Sequence, residues 1–257
     1  MQSLTIIKAG GKIVEETASL RRLLSDFSLL KGNKLLVHGG GRLATTLASR
    51  LGIESKMING RRITSAEMLK VVTMAYGGLV NKSIVARLQA IGVNALGLTG
   101  ADMNLIRSEK RPVKEIDYGF VGDVKEVNAA LLTSLIEQGV TPVLAPLTHD
   151  KKGNLLNTNA DTMAGEAAKA LARYFDVTLV FCFEKKGVLM DENDDESVIS
   201  VITPALYEQY VAQNIVRGGM IPKLENAFEA LQKGVKRVVI TEASQLGKDT
   251  GTVVMPK

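Results

Sequence analysis

Short apolar runs alternate along the chain with longer stretches in which apolar residues recur at helical spacing. Leu4-Thr5-Ile6-Ile7 reads as a strand, Gly10-Gly11 as a turn, and the recurrence of Leu20, Leu23, Leu24 and Phe27 predicts a helix behind it. The unit then repeats: Lys34-Leu35-Leu36-Val37 is a second strand, Gly39-Gly40-Gly41 a second turn, and Leu43, Leu47 and Leu51 mark a helix that Gly52 closes as a C-cap. Residues 67–91 predict a long helix, weakened at its middle by Gly77-Gly78, with more apolar positions than one narrow stripe needs. That surplus suits a surface covered by a partner. Strands at 95–98 and 142–145 flank a charged, glycine-containing stretch from Ile106 to Asp123 that suits a hairpin insertion. A helix at 161–174, a strand at 177–183, a polar segment at 191–196, helices at 204–212 and 222–233 and a strand at 237–241 complete the pattern. Strands alternating with helices predict an α/β fold on a mainly parallel open sheet.

Composition narrows the class. The chain has 257 residues, 32 Lys and Arg against 27 Asp and Glu, and a formal charge of +5. The length fits one α/β domain of two lobes sharing a sheet, with a boundary between about 145 and 175, where glycine turns give way to longer polar loops. The cations are scattered and Trp is absent, so no basic stripe or stacking platform for nucleic acid stands out. An anionic small ligand accounts for the balance. The single cysteine, Cys182, lies in the apolar run from Thr178 to Phe183 and reads as a buried, inert thiol. No apolar stretch is long enough for a membrane span or a signal segment, which predicts a cytoplasmic protein without membrane partners. No repeat with a period of about 20–50 residues is present.

Ligands of open α/β sheets collect at the carboxyl ends of strands, and both early glycine turns fall there. Lys8-Ala9-Gly10-Gly11 sets a cation beside two residues whose missing Cβ lets backbone N–H groups approach an anion. His38-Gly39-Gly40-Gly41 is more informative, because three consecutive glycines are entropically costly and a plain connection needs one at most. Neither turn is a Walker A loop or a Gly-x-Gly-x-x-Gly fingerprint. His38 reads as a supporting residue beneath the turn, and His149, beside Asp150 and Lys151, as a surface loop residue.

With further segments the pattern becomes specific. These are Asn59-Gly60-Arg61-Arg62-Ile63-Thr64, the run from Gly97 to Ile106, Gly119-Phe120-Val121-Gly122-Asp123-Val124, Asn157-x-Asn159-Ala160-Asp161, Gly218-Gly219-Met220-Ile221-Pro222-Lys223 and Gly251-Thr252. Together with the two glycine turns they run in order over nearly the whole chain and resemble the amino acid kinase family, specifically its N-acetylglutamate kinase branch.

The resemblance implies a three-layer α/β/α sandwich on the parallel sheet. Residues 1–150 would form an amino-acid-binding and dimerisation lobe, and residues 151–257 an ATP-binding lobe. The implied reaction moves the γ-phosphoryl group of ATP, carried with Mg2+, onto the γ-carboxylate of N-acetyl-L-glutamate, early in arginine (ornithine) biosynthesis. Lys8 and Lys223 would offset charge on the transferred group, with Asp161 orienting both. Gly10 and Gly11 would donate to phosphates. Gly40, Gly41, Arg62, Asn157 and Asn159 would hold the acylated amino acid. The nucleotide would lie over Glu184, Lys185, Lys186, Gly187, Val188 and Leu189 and over Gly218, Gly219 and Met220, with no protein ligand for the metal.

Elementary chemistry agrees with such a reaction. Phosphoryl transfer asks for in-line positioning and charge neutralisation, and a glutamate side chain with a pKa of about 4.3 is ionised at neutral pH without a general base. Three positions depart from the branch's pattern. Glu184 stands where Asp is usual and Lys185 where a small apolar residue is usual. Arg61 replaces an apolar residue, which opens the alternative of a larger, acid-bearing acyl group such as succinyl. An alternative of another class is a non-catalytic amino-acid sensor on the same fold. The early start of the first strand and the short stretch from Thr241 to Gly251 predict no arginine feedback, and the 67–91 helix predicts a homodimer.

Overall fold

The computed structural model describes every residue except Asn59, Asp249 and Lys257, with Pro222 described for its backbone alone. Asn59 of the 59–64 segment therefore lies outside the described residues, as does the side chain of Pro222. In chain order the strands are β1 (Ser3–Ala9), β2 (Asn33–His38), β3 (Met57–Ile58), β4 (Arg61–Arg62), β5 (Ala95–Leu98), β6 (Ile106–Lys110), β7 (Gly122–Val127), β8 (Thr141–Leu144), β9 (Leu147–His149), β10 (Leu155–Asn157), β11 (Asp176–Phe183), β12 (Val201–Ile202), β13 (Arg237–Glu242) and β14 (Thr252–Val254). The α-helices are α1 (Gly11–Glu15), α2 (Thr17–Leu29), α3 (Gly41–Arg50), α4 (Ala66–Val72), α5 (Asn81–Ala90), α6 (Ala129–Glu137), α7 (Ala160–Leu171), α8 (Pro204–Ala212) and α9 (Met220–Gln232).

Eight strands form one sheet in the order β12-β14-β13-β11-β1-β2-β8-β5. Every pairing in it is parallel except that of β13 with β14. Alternate side chains of a strand face opposite sides, and the core follows that period. Leu4 and Ile6 of β1, Leu35 and Val37 of β2 and Leu179 and Phe181 of β11 pack with residues of α6, α7 and α9. Ile7, Leu36 and Val180 face the other way, onto Leu23, Leu24 and Phe27 of α2 and Ile84 and Leu88 of α5. The result is the three-layer α/β/α sandwich.

Cys182 is buried on the second face, and burial pushes its thiol up to about 12. The 106–123 stretch does form a hairpin, β6 antiparallel to β7, within a second sheet of order β10-β9-β6-β7 that stands over the carboxyl ends of the main strands.

The 67–91 helix is continuous but not uniform. Between α4 and α5 the turn widens to π-helical geometry over Thr73–Val80, around the Gly77-Gly78 pair. The widened turn brings Tyr76 against the second glycine turn, where a Cβ on Gly40 would stand 3.0 Å from the Tyr76 ring. It also sets Asn81 beneath the same turn, with its Nδ2 3.1 Å from His38 Nε2 and donating to the Val143 carbonyl at 2.9 Å. The expected helix through Leu20, Leu23, Leu24 and Phe27 is α2, and a separate short helix, α1, precedes it, the two divided at Glu16.

Candidate functional site

The chain runs from β1 through β2 to one side of the sheet and returns with β11 on the other side of β1. That reversal puts the topological switch point, where doubly wound sheets place their ligands, at the end of β1. A cleft of about 480 Å3 opens there, lined by Lys8, Gly11, the second glycine turn, Arg62, Asn157, Asn159, Asp161 and Glu184.

Its charged centre is a carboxylate between two ammonium groups. Lys8 Nζ lies 2.9 Å from Asp161 Oδ1, and Lys223 Nζ donates to Asp161 Oδ2 at 3.2 Å. Each partner arrives on a different element: Lys8 near the end of β1, Asp161 in the first turn of α7, and Lys223 in the first turn of α9. The start of α7 is fixed by Asn159, whose Oδ1 accepts from the N–H of Asp161 at 2.8 Å and of Thr162 at 3.1 Å. Lys223 also sits 5.5 Å and 5.7 Å from the ring centres of Phe181 and Phe183. Burial alone would raise the Asp161 carboxyl, but the two adjacent ammonium groups outweigh it and hold the pKa well below the usual carboxylate range. Burial presses the Lys223 pKa down and Lys8 adds to that, while Asp161 resists. The cluster carries one positive charge in excess, an arrangement suited to a polyanion.

The two glycine turns lie against each other. A Cβ on Gly39 would stand 3.0 Å from the Gly11 nitrogen, and Gly40 has φ +153°, so side chains are excluded where the turns meet. Gly10 differs from the expectation placed on it. Its N–H donates to the Cys182 carbonyl at 3.0 Å and Gly10 does not line the cleft, whereas Gly11 does and opens α1 without an intrahelical acceptor for its own N–H. His38 supports the second turn from below. It is fully buried, its Nδ1 is 2.7 Å from the Gly39 carbonyl, and desolvation lowers its pKa to about 4, only partly opposed by that hydrogen bond. The neutral ring thus donates from Nδ1 and accepts the Asn81 amide at Nε2.

Arg62 is 6% exposed. Its Nη2 donates to the Gly41 carbonyl at 2.7 Å and to Thr45 Oγ1 at 3.0 Å, and its Nη1 to Ser55. Asn157 is buried opposite, its Nδ2 donating to Thr64 Oγ1 at 3.0 Å. Both line the cleft beside Gly40 and Gly41. Asn159 lines it too, with its oxygen spent on the helix cap.

The residues expected over the nucleotide separate. Glu184 lines the cleft, with its Oε2 3.2 Å from Lys12 and its Oε1 4.0 Å from Arg42. Lys185 and Lys186 do not line it: Lys185 pairs with Asp195 at 2.7 Å and Lys186 with Glu196, so both neutralise the acidic 191–196 loop. Gly187 is needed for packing, since a Cβ there would stand 2.7 Å from Thr252 Oγ1. Val188 and Leu189 are buried, and the Val188 N–H donates to Thr252 Oγ1. Gly218, Gly219 and Met220 lead into α9 one turn ahead of Lys223, with Gly218 at φ +55°.

Lys12, Arg42 and Tyr76 line the cleft without having been singled out from sequence. Lys12 and Arg42 each follow the last glycine of a turn, and that repeated glycine–cation step was the available signal. Nothing in the sequence marked Tyr76.

A sequence profile of the amino acid kinase family matches residues 3–242. The acetylglutamate kinase of Parabacteroides distasonis is 71% identical over 99% of this chain and 100% of its own, and that of Phocaeicola vulgatus is 71% identical over 98% of both. The crystal structure of smu.665 from Streptococcus mutans superposes with a TM-score of 0.84 at 29% identity, covering 99% of each chain. This chain belongs to the amino acid kinase family.

Proposed function

We propose that the protein transfers the γ-phosphoryl group of ATP to the γ-carboxylate of N-acetyl-L-glutamate, forming an acyl phosphate at an early step of arginine (ornithine) biosynthesis. Near-full-length relatives named acetylglutamate kinase support the substrate. The observation that carries the chemistry is the Lys8–Asp161–Lys223 cluster at the end of β1.

An ionised carboxylate approaching a triphosphate meets electrostatic repulsion, and no proton has to be removed from it. The protein's task is therefore to gather positive charge and to align the reactants. Lys8 and Lys223 meet the equatorial oxygens of the transferred group from two sides. Asp161 keeps both ammonium groups at fixed positions before substrate arrives. The Gly11 N–H and the second glycine turn approach the phosphate and the substrate closely because no Cβ intervenes. Arg62 takes the α-carboxylate with N–H groups beyond those given to Gly41 and Thr45, and Asn157 and the 40–41 backbone hold the acylamide.

In this reading residues 1–150 hold the amino acid and residues 151–257 the nucleotide. The two carboxylates that line the cleft, Asp161 and Glu184, are each already paired with lysine. Mg2+ would then come with ATP rather than be held by the protein, and it would supply charge neutralisation on the triphosphate. Met74 and Leu79, 49% and 59% exposed on the π-helical turn, are the apolar surface on which a second copy would dock, giving a homodimer. Among the described residues no helix is long and apolar enough to cross a membrane, which is compatible with a cytoplasmic setting.

An ATP-dependent hydroxamate assay across acylated and free amino acids tests the reaction, because hydroxylamine traps the acyl phosphate itself. Hydroxamate is expected with N-acylglutamates and not with free glutamate. Its absence with every acylated glutamate would refute the assignment.

A further inference from the structure

Each residue of the second glycine turn is met by a side chain. His38 bonds the Gly39 carbonyl, the Tyr76 ring stands against Gly40, and Arg62 donates to the Gly41 carbonyl. A further contact comes from the other turn's own helix: the N–H of Leu43 donates to Glu15 Oε1 at 2.7 Å.

That bond crosses between the two strand–glycine–helix units. Glu15 is the last residue of α1, the short helix that Gly11 opens, and Leu43 lies in the first turn of α3, which Gly41 opens. Gly40, the residue ahead of α3, has no side chain with which to cap it, so the cap is supplied from α1. The first N–H groups of a helix have no intrahelical acceptor. Glu15 takes that of Leu43 and leaves those of Gly41 and Arg42, both residues of the cleft wall.

Glu15 itself does not line the cleft. A carboxylate at this place favours the N-terminal end of α3 but opposes the approach of a polyanion, so what it can add to phosphoryl transfer is position rather than charge. It stands at the seam between the turns, because a Cβ on Gly11 would lie 3.4 Å from the Gly41 nitrogen and 3.8 Å from Glu15 Oε1. The helix that carries it is anchored from the other side, with Ile13 and Val14 buried in the same core as Ile7 and Leu36.

We propose that Glu15 is a positioning residue for phosphoryl transfer: by tying α1 to α3 it fixes the spacing between the glycine turn that meets the phosphates and the one that meets the amino acid. The inference rests on the phosphoryl-transfer reading of this cleft. In-line transfer depends on the distance and angle between donor and acceptor, and a misplacement of about 1 Å can cost about a hundredfold in rate. Binding of either reactant to its own turn depends on that spacing much less. Loss of Glu15 is therefore expected in kcat rather than in KM.

The test measures kcat and both KM values in the wild-type protein and in Glu15→Ala, Glu15→Gln and Glu15→Asp, with ATP and whichever N-acylglutamate gives the most hydroxamate. Glu15→Gln keeps the reach and an acceptor oxygen without the charge, whereas Glu15→Asp keeps the charge and loses one methylene of reach. Glu15→Ala should lower kcat by about tenfold or more while each KM changes by about threefold or less. Glu15→Gln should stay within about threefold of the wild-type kcat, and Glu15→Asp should be slower than Glu15→Gln. Should Glu15→Ala fail to fold, the order of the Gln and Asp variants decides alone. A wild-type kcat in Glu15→Ala, or a loss confined to KM, would overturn the inference and leave the kinase assignment standing. So would an Asp variant faster than the Gln variant, which would make charge and not position the feature that matters. No hydroxamate from the wild-type protein with any acylated glutamate would remove the reaction and the inference together.

Discussion

Lys8 Nζ and Asp161 Oδ1 lie 2.9 Å apart, and this pair joins the end of the central strand β1 to the first turn of α7. Because Lys223 holds the other oxygen of the same carboxylate, the cations on two elements are positioned by one anion. Their excess charge is present before any ligand arrives, which is what electrostatic preorganisation requires.

Removal of either ammonium should be felt in the chemical step. Lys8→Ala or Lys223→Ala is expected to lower kcat by roughly 10²–10³, the scale for loss of one transition-state donor, with a smaller change in KM for either substrate. Steady-state kinetics with both substrates varied would check this. A wild-type kcat in Lys8→Ala would end the charge-neutralisation account.

Arg62→Ala should act on binding instead. Loss of a charge-assisted carboxylate contact of about 1.5–3 kcal/mol corresponds to a roughly 10–100-fold rise in KM for the amino acid. The variant should also unfold more easily, because Gly41, Thr45 and Ser55 lose a shared donor. Arg62→Lys should recover little of the affinity, since one ammonium cannot serve these acceptors and a carboxylate together. Comparable KM values for wild type and Arg62→Ala would contradict the assignment.

His38 gives a pH signature. Its folded-state pKa is lowered from 6.5 to about 4, so between those values the unfolded chain binds the proton more readily than the native one. The contribution is fully present above about pH 6.5 and is lost as pH falls through about 4, reaching about 3 kcal/mol. Urea midpoints at pH 7.5 and 4.5 should diverge more in the wild type than in His38→Asn, which lacks the titrating group. Equal pH dependence in the two proteins would show that His38 does not titrate in this way.

Among the lysines near the expected nucleotide, Lys12 should matter more than Lys185. Lys12 lines the cleft beside Glu184, while Lys185 is committed to Asp195 outside it. Lys12→Ala should raise KM for ATP by about tenfold or less, as loss of one partly exposed charged contact would, and Lys185→Ala should change it less than Lys12→Ala. The reverse order would mean that the 191–196 loop releases Lys185 when ATP binds.

Much of the fold was legible in the chain because local patterns and tertiary demands coincide. The continuous apolar runs of β1 and β2 match a sheet buried on both faces, and the glycines that end each strand fall where two turns press together. The long helix was legible in extent. Its widened middle was not, because a π-turn at Gly77-Gly78 goes with what Tyr76 and Asn81 meet at the second glycine turn, which is distant in sequence. The same limit explains Gly10, whose N–H is taken by a carbonyl on β11, and Lys185 and Lys186, whose acidic partners lie about a turn of loop away.

The sequence by itself determined the α/β alternation, the family and the presence of two lysines, one aspartate and two glycine turns. It could do so because each is written in residues close together along the chain. Only the tertiary structure decided that Lys8 and Lys223 share Asp161, that Asn159 spends its oxygen on a helix cap, and that Arg61 stands half-buried in the cleft within the field of Arg111 and Asp123. Those are facts about which charges meet after folding. Burial and the neighbour's charge set what a side chain can do, and neither is a property of the residue alone.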